Sequence, residues 1–355
     1  METKSHINTI LGSSDYLEFL RGKTATFLLS LSTTKTLEIE GITQAGIPGL
    51  IHLTPTLDSE FVCTGEVRCL EDLAETPKGV PTPALMTRAV HLLKPFSNLE
   101  ILDLGMSKKP QLEYFKVHEF GLNPSEAINN GAKINALEVF QKGVEFGKTY
   151  ECSDDYIILA ESVPAGTTTA YATAQALGYD CIGKFSSSFK NSPDSIKEKT
   201  INEALENIKD EVDLFDKVSQ VSDNMLIFNA GFVLGNSSLN TKLILAGGTQ
   251  MAAVLLLANS IVNYMGGKLD SKNLALCTTK WVNEDENSDI KSLLEMVDFS
   301  INAYSANFDF SKSSHPALKL YDEGEAKEGV GAGGALCYGL INGLNDEQII
   351  KQVEN

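Results

Sequence analysis

A chain of 355 residues is long enough for one large domain or two smaller ones, and 43% hydrophobic with 21% charged residues is globular composition, not that of a disordered segment. The 29 basic against 47 acidic residues give a formal charge of −18, which repels nucleic-acid phosphate and anionic membrane surfaces, so neither is expected as a partner. The same acidic excess also serves solubility alone.

Six cysteines (Cys63, Cys69, Cys152, Cys181, Cys277 and Cys337) show no CxxC spacing, so neither a zinc site nor a disulfide framework is read and a reducing cytoplasm fits. Glu2, Lys4 and His6 precede any apolar stretch, and the most apolar run, from Met251 to Ala258, is followed by Asn259, Ser260 and Asn263. Neither a signal peptide nor a membrane span is expected.

Short apolar runs, each followed by a turn and a helical stretch, predict a Rossmann-like α/β fold with a mainly parallel sheet and helices on both faces. In chain order the runs are Thr26 to Leu31, Glu100 to Gly105, Tyr156 to Glu161, Met225 to Gly231, Lys242 to Gly248 and Leu274 to Thr279. Their near-continuous hydrophobicity marks strands buried on both faces. Asn123, Pro124 and Glu126 read as the start of a helix running through Phe140. A second helix runs from Thr167 through Leu177 and is closed by Gly178, and a charged amphipathic helix runs from Ser192 to Val218 with Pro193 near its start. No linker cuts the chain, so one α/β domain is expected over residues 25–345, with the terminal segments 1–24 and 346–355 as a small helical subdomain.

Four glycine-bearing segments border these elements, where the strand ends of an open α/β sheet converge on a crevice. In the first, from Glu161 to Gly178, a strand ends in Pro-Ala-Gly and Thr167, Thr168 and Thr169 open a helix. The free N–H groups from Gly166 onward and the helix dipole suit a phosphate, although the threonines would equally cap a helix. This is neither a Walker loop nor GxGxxG. In the second, Gly247 and Gly248 lie between strand and helix, allowing either close approach of a ligand or ordinary packing of the turn. In the third, Gly183 and Lys184 begin a stretch in which Lys184 and Lys190 flank a serine cluster, an anion site or a solvated loop. In the fourth, Glu323, Glu325 and Glu328 precede the turn containing Gly329 and Gly331. A carboxylate desolvated against that turn would be a useful base, and Glu328 is the best placed; a charged surface loop is the alternative. His6, His52, His91, His118 and His315 show no HxH or HExxH spacing, and there is no GxSxG elbow.

Taken in order, these segments resemble the nicotinate-nucleotide:dimethylbenzimidazole phosphoribosyltransferase family, which makes the lower-ligand nucleoside phosphate of cobamides. NPSEAINNG at Asn123 resembles the helix after a central strand, and ESVPAGTTTA at Glu161 resembles the loop Glu-Met-Gly-Ile-Gly-Asn-Thr-Thr. GGTQMAAVLLLA at Gly247 resembles Gly-Gly-Phe-Glu-Ile-Ala-Ala, and KEGVGAGGAL at Lys327 resembles the turn Gly-Glu-Gly-Thr-Gly-Ala. The resemblance covers about residues 99 to 344 and fits a divergent archaeal-type branch. The N-terminal third lacks the family's Lys-Pro-Pro-Gly-Ser-Leu-Gly and Asp-His-Gly segments, the loop at Glu161 is one residue longer, and Thr249-Gln250 replaces Phe-Glu.

The resemblance implies an enzyme that moves the ribosyl 5′-phosphate of nicotinate mononucleotide onto a nitrogen base of benzimidazole or purine type, with inversion to an α-ribosyl nucleotide. It implies that Glu328 is the catalytic base. Glu161, Gly166, Thr167, Thr168, Gly183, Lys184, Gly247, Gly248, Gly329 and Gly331 would then line the substrate and phosphate site. No metal or cofactor beyond the nucleotide is called for, and a cytoplasmic homodimer is expected. Two other readings fit the same fold: a nucleotide N-glycosidase with water as nucleophile, and a nucleotide-binding protein without turnover.

Overall fold

The computed structural model describes residues 6–70, 73–209 and 212–355. The chain begins with β1 Ile7–Leu11, α1 Asp15–Leu20, β2 Ala25–Leu31, α2 Thr54–Thr64, α3 Ala84–Leu93, β3 Asn98–Asp103 and β4 Lys116–Glu119. Its middle holds α4 Ala136–Thr149, β5 Tyr156–Ser162, α5 Gly166–Ala176, α6 Asp194–Glu206, α7 Leu214–Val221 and α8 Asn224–Asn236. There follow β6 Lys242–Ala246, α9 Thr249–Tyr264, β7 Leu274–Thr279, α10 Lys280–Asn283, α11 Ile290–Leu294 and β8 Asn302–Ala306. Helices α12 Pro316–Lys319, α13 Ala332–Ile341 and α14 Asp346–Glu354 complete it.

The strands form one mixed sheet in the order β1-β8-β7-β6-β5-β2-β3-β4, parallel throughout except for β1 against β8. The chain winds from β2 outward through β3 to β4, then returns to the other side of β2 and continues from β5 to β8. Winding therefore reverses between β2 and β5, where loops leaving the strand ends part to opposite faces and open a crevice. Alternation along each strand builds two cores. On β5, Ile157 and Leu159 face the layer of α4 to α9, while Tyr156, Ile158 and Ala160 face α1, α3, α13 and α14. Burial on both sides is why these strands read as continuous apolar runs. Among the described residues no helix is long and apolar enough to cross a membrane.

Three sequence expectations are corrected. Met225 to Gly231 is no strand but the first half of α8, capped where the Asp223 carboxylate accepts the N–H of Leu226 at 3.0 Å. A helix buried on nearly every side has the same apolar run as a two-faced strand. Its partner α4 crosses it so closely that a Cβ on Gly231 would lie 2.3 Å from the Phe140 carbonyl oxygen, and one on Gly143 would lie 2.1 Å from that of Phe228. Glycines facing each other on both helices make the crossing possible.

Asn123 does not start a helix. Ser125 bonds both ways with the loop after β2, its N–H to Thr33 and its carbonyl from Lys35, and Glu126 pairs with Lys35 at 2.8 Å. The helix begins at Ala136, capped by Asn135. The stretch 192–218 holds two helices, α6 and α7, and residues 210 and 211 between them lie outside the described residues.

The strands not anticipated, β1, β4 and β8, are edge or near-edge segments rich in polar or small residues (INTIL, KVHE, NAYSA). Of the terminal segments, residues 1–5 lie outside the described residues, Ile7–Leu11 is the edge strand, and α14 contributes Ile349 and Ile350 to the core shared with α3 and α13.

Candidate active site

The crevice at the β2–β5 reversal holds a cavity of about 120 Å³. Its floor is the end of β5, Glu161 and Ser162, with Gly248 after β6 and the turn Lys327–Val330 before α13. Among the described residues, three of the four non-glycine residues with left-handed backbone, Ala165, Ala326 and Val330, line this cavity. Strain of that kind collects where structure holds a functional geometry.

One end suits an anion. Helix α5 starts after Ala165, which offers no side-chain cap. The N–H groups of Gly166 and Thr168 close turns onto Val163 and Ala165, which leaves the Thr167 N–H and the positive end of the dipole for a ligand. Behind Thr167 lies Lys197 of α6, only 4% exposed, donating to Thr167 Oγ1 at 3.4 Å and to the Ser186 carbonyl at 3.3 Å. Among the described residues Lys197 forms no ion pair, and burial pulls its ammonium down to about 8. The Gln250 amide lies against Gly166, its Oε1 without a partner among the described residues; a half-turn of that amide presents its NH2 instead.

Carboxyl groups occupy the middle. Glu328, half-buried, accepts four donors: the Thr278 hydroxyl at 3.1 Å and the N–H groups of Thr279 at 2.9 Å, Gly333 at 3.0 Å and Gly329 at 3.2 Å. Desolvation pushes it up to about 7 against the downward pull of these donors. Glu161, 2% exposed, has an Oε2 with no partner among the described residues, and burial followed by the charge of Glu328 pushes it up to about 8. The Glu161 carbonyl accepts the Val330 N–H at 2.8 Å, joining the two carboxyl-bearing segments. Gly331 lets the turn descend onto the sheet: its φ is +68°, and a Cβ there would lie 2.5 Å from that of Ala160.

The remaining wall comes from the N-terminal third: Thr43 to Gly46, Thr54 and Asp58 of α2, and the segments 74–76 and 80–83. Asp58, 2% exposed, accepts from Thr82 Oγ1 and Ser162 Oγ, both at 2.7 Å, and burial raises it to about 6. Buried Glu325 gathers this wall by accepting Gln44 Nε2 at 2.6 Å, Lys78 Nζ and the Lys190 N–H at 3.3 Å. Lys327, ion-paired with buried Asp285 at 3.2 Å, donates to the carbonyls of Ser187 and Phe189 and ties the serine loop to the Glu328 turn.

A UPF0284 protein of Sulfurisphaera tokodaii is 38% identical over 331 residues, 92% of this chain and 91% of that protein. A UPF0284 protein of Saccharolobus solfataricus is 35% identical over 339 residues, 95% of this chain and 93% of that protein. The chain belongs to the UPF0284 family. No family model matches it. Among solved structures this UPF0284 chain is similar to CobT of Thermus thermophilus, with a TM-score of 0.61 at 14% identity over 96% of this chain and 90% of that one. It is also similar to a nicotinate-nucleotide–dimethylbenzimidazole phosphoribosyltransferase of the same organism, with a TM-score of 0.60 at 15% identity over 97% of this chain and 92% of that one. That likeness shows a shared fold.

Of the residues singled out from the UPF0284 sequence, Glu161, Gly166, Thr167, Gly248, Glu328 and Gly329 line the cavity together. Others lie outside its lining. Thr168 is fully buried, Gly331 packs on the sheet, Gly247 backs Glu161, and Gly183 and Lys184 stand on the outer part of their loop, whose Ser186, Ser187 and Ser188 reach the cavity instead. Asp58, Lys197 and Gln250 were not singled out. Lys197 sits on what reads as an ordinary charged helix, 30 residues beyond Thr167, and only the fold brings the two together.

Proposed function

We propose that this chain transfers the ribosyl 5′-phosphate of nicotinate mononucleotide to a nitrogen base, the activity for which the second Thermus structure is named. The observation that carries this reading is the uncapped start of α5, whose Gly166 and Thr167 share one cavity lining with Glu161 and Glu328, backed by Lys197, a buried ammonium that forms no ion pair among the described residues and donates to Thr167 Oγ1. The phosphate would take the Thr167 N–H, the hydroxyl of Thr167 and the Gln250 amide, with Lys197 supplying the compensating charge.

Nicotinate leaves a pyridinium riboside without being protonated, so the reaction needs no acid at the departing ring. It needs a base for the acceptor. Two carboxyl groups with separated titration divide such work: Glu161 stays protonated at neutral pH while Glu328 begins to ionise. Glu328 then takes the acceptor's proton, exchanging its longest hydrogen bond, the 3.2 Å contact from Gly329 N–H, for the new O–H. Two substrates need more room than about 120 Å³, since ligand pockets run to roughly 300–1,000 Å³, so this reading requires the cavity to widen when both are bound. A cytoplasmic homodimer goes with this reading.

Calorimetric titration of nicotinate mononucleotide tests it. Lys197→Met should weaken the nucleotide roughly 10- to 100-fold, the worth of a charged hydrogen bond, and leave the phosphate-free riboside unaffected. Equal affinity in wild type and variant, or no binding at all, removes the reading.

A further inference from the structure

On one side, cavity and solvent are separated by a single hairpin. Over residues 74–83 the backbone folds back on itself: Thr76 N–H donates to the Val80 carbonyl at 2.9 Å, Gly79 N–H to that of Thr76 at 2.8 Å and Thr82 N–H to that of Ala74 at 3.0 Å. Gly79 supplies the left-handed backbone of the turn, with φ +76°. Ala74, Thr76 and Val80 are buried and line the cavity, whereas Pro77 and Lys78 are exposed, and Glu75 is both exposed and part of the lining. The base and the tip of this hairpin are held differently. At the base, the Tyr321 hydroxyl donates to the Pro81 carbonyl and Thr82 Oγ1 donates to Asp58 at 2.7 Å. The tip, residues 75–80, makes one hydrogen bond outside its own hairpin among the described residues, from Lys78 Nζ to Glu325 Oε1. The Lys78 side chain is 58% exposed and that of Glu325 3%. Glu325 Oε2 is engaged by Gln44 Nε2 at 2.6 Å and the Lys190 N–H at 3.3 Å, so one carboxylate oxygen gathers the fixed frame while the other holds only the tip.

We propose that residues 74–83 form a strap over the cavity, whose tip swings outward on the base at Pro81 and Thr82, and that the Lys78–Glu325 ion pair is its latch. Lysine suits a latch, being a compact charge on a flexible stem that exchanges a carboxylate for water without disturbing its neighbours. Lifting the tip also brings water to Glu325 Oε1, so the released carboxylate is not left buried and unpaired. Latched, the strap encloses about 120 Å³; released, it admits a larger ligand. The strap governs entry to the cavity whatever reaction follows, so the proposal does not rest on the transfer reading.

The test needs no nucleotide. Ala74→Cys in the full chain puts a thiol into the cavity wall, and its rate of modification by a bulky maleimide, read by peptide mass analysis, reports how often the strap lifts. Adding Lys78→Met should speed that modification roughly 3- to 10-fold, between the worth of an exposed ion pair and that of a hydrogen bond to a charged group. About 1 M salt should speed it in the latched chain and not in the Lys78→Met chain. Cys152, partly exposed and at the opposite end of β5 from the cavity, should react at one rate in both. In chains that keep Ala74, Lys78→Met should accelerate amide hydrogen exchange over residues 75–80 by a similar factor, a reading that does not depend on the introduced thiol. Equal rates with and without Lys78, or modification in the latched chain as fast as that of a free thiol, overturns the proposal. So does an acceleration that Cys152 shares, because the substitution would then have loosened the whole chain.

Discussion

Replacing Glu161 with Gln isolates what it costs to hold a carboxyl in this cavity. Burial and the neighbouring Glu328 raise Glu161 from an ordinary 4.5 to about 8, so between those values the folded chain keeps a proton that the unfolded chain has released. Stability from such a group is fully present below its unfolded value and is lost as pH rises through its folded one. One proton of difference changes stability by about 1.4 kcal/mol per pH unit, so from about pH 5 to pH 8 Glu161 alone removes on the order of 3 kcal/mol. Glutamine has the same shape and no proton to lose. Urea unfolding midpoints at about pH 5, 6, 7 and 8 should therefore be similar for the two proteins at the acid end, with Glu161→Gln increasingly the more stable as pH rises. The other buried carboxyl groups are common to both proteins and largely cancel. Parallel curves for wild type and variant would refute the argument, because Glu161 would then titrate alike folded and unfolded.

Other outcomes follow from the same geometry. Glu328→Gln should reduce turnover roughly 10²- to 10⁴-fold, the usual worth of a general base, with nicotinate mononucleotide affinity retained in calorimetry; unchanged turnover takes Glu328 out of the chemistry. The kcat/KM profile should rise as Glu328 loses its proton near about 7 and fall as Glu161 loses its own near about 8, and Glu161→Gln should abolish only the alkaline fall. Gly231→Ala places a Cβ 2.3 Å from the Phe140 carbonyl oxygen and should destabilise the chain by about 1–3 kcal/mol, seen as a lowered melting temperature without a change in donor affinity.

The parallel sheet was legible because five strands are buried on both faces and carry unbroken apolar runs. The same signal misread α8, since a helix enclosed between α4 and the sheet is equally apolar, and the facing glycines, Gly143 and Gly147 on α4 with Gly231 and Gly235 on α8, have meaning only once two helices are known to cross. The Glu161, Gly166 and Glu328 loops could be read because strand ends followed by glycine turns converge by topology. Asp58 and Lys197 could not. Each sits on a helix whose local pattern is ordinary, and each acquires its setting from contacts distant in sequence: Asp58 from Ser162, 104 residues away, and Lys197 from Ser186 and Thr167. The N-terminal third, where the resemblance to the phosphoribosyltransferases stops, supplies a whole wall of the cavity and so, on the transferase reading, would bear on the choice of acceptor.

The most direct measurement is chromatographic and mass analysis of products after incubating the full chain with nicotinate mononucleotide and a panel of nitrogen bases. Nicotinate release that requires a base, with an α-ribosyl phosphate of that base appearing in equal amount, is the expected result. Nicotinate release without any base would make the chain a glycosidase, and no turnover of any combination would contradict the transferase reading outright.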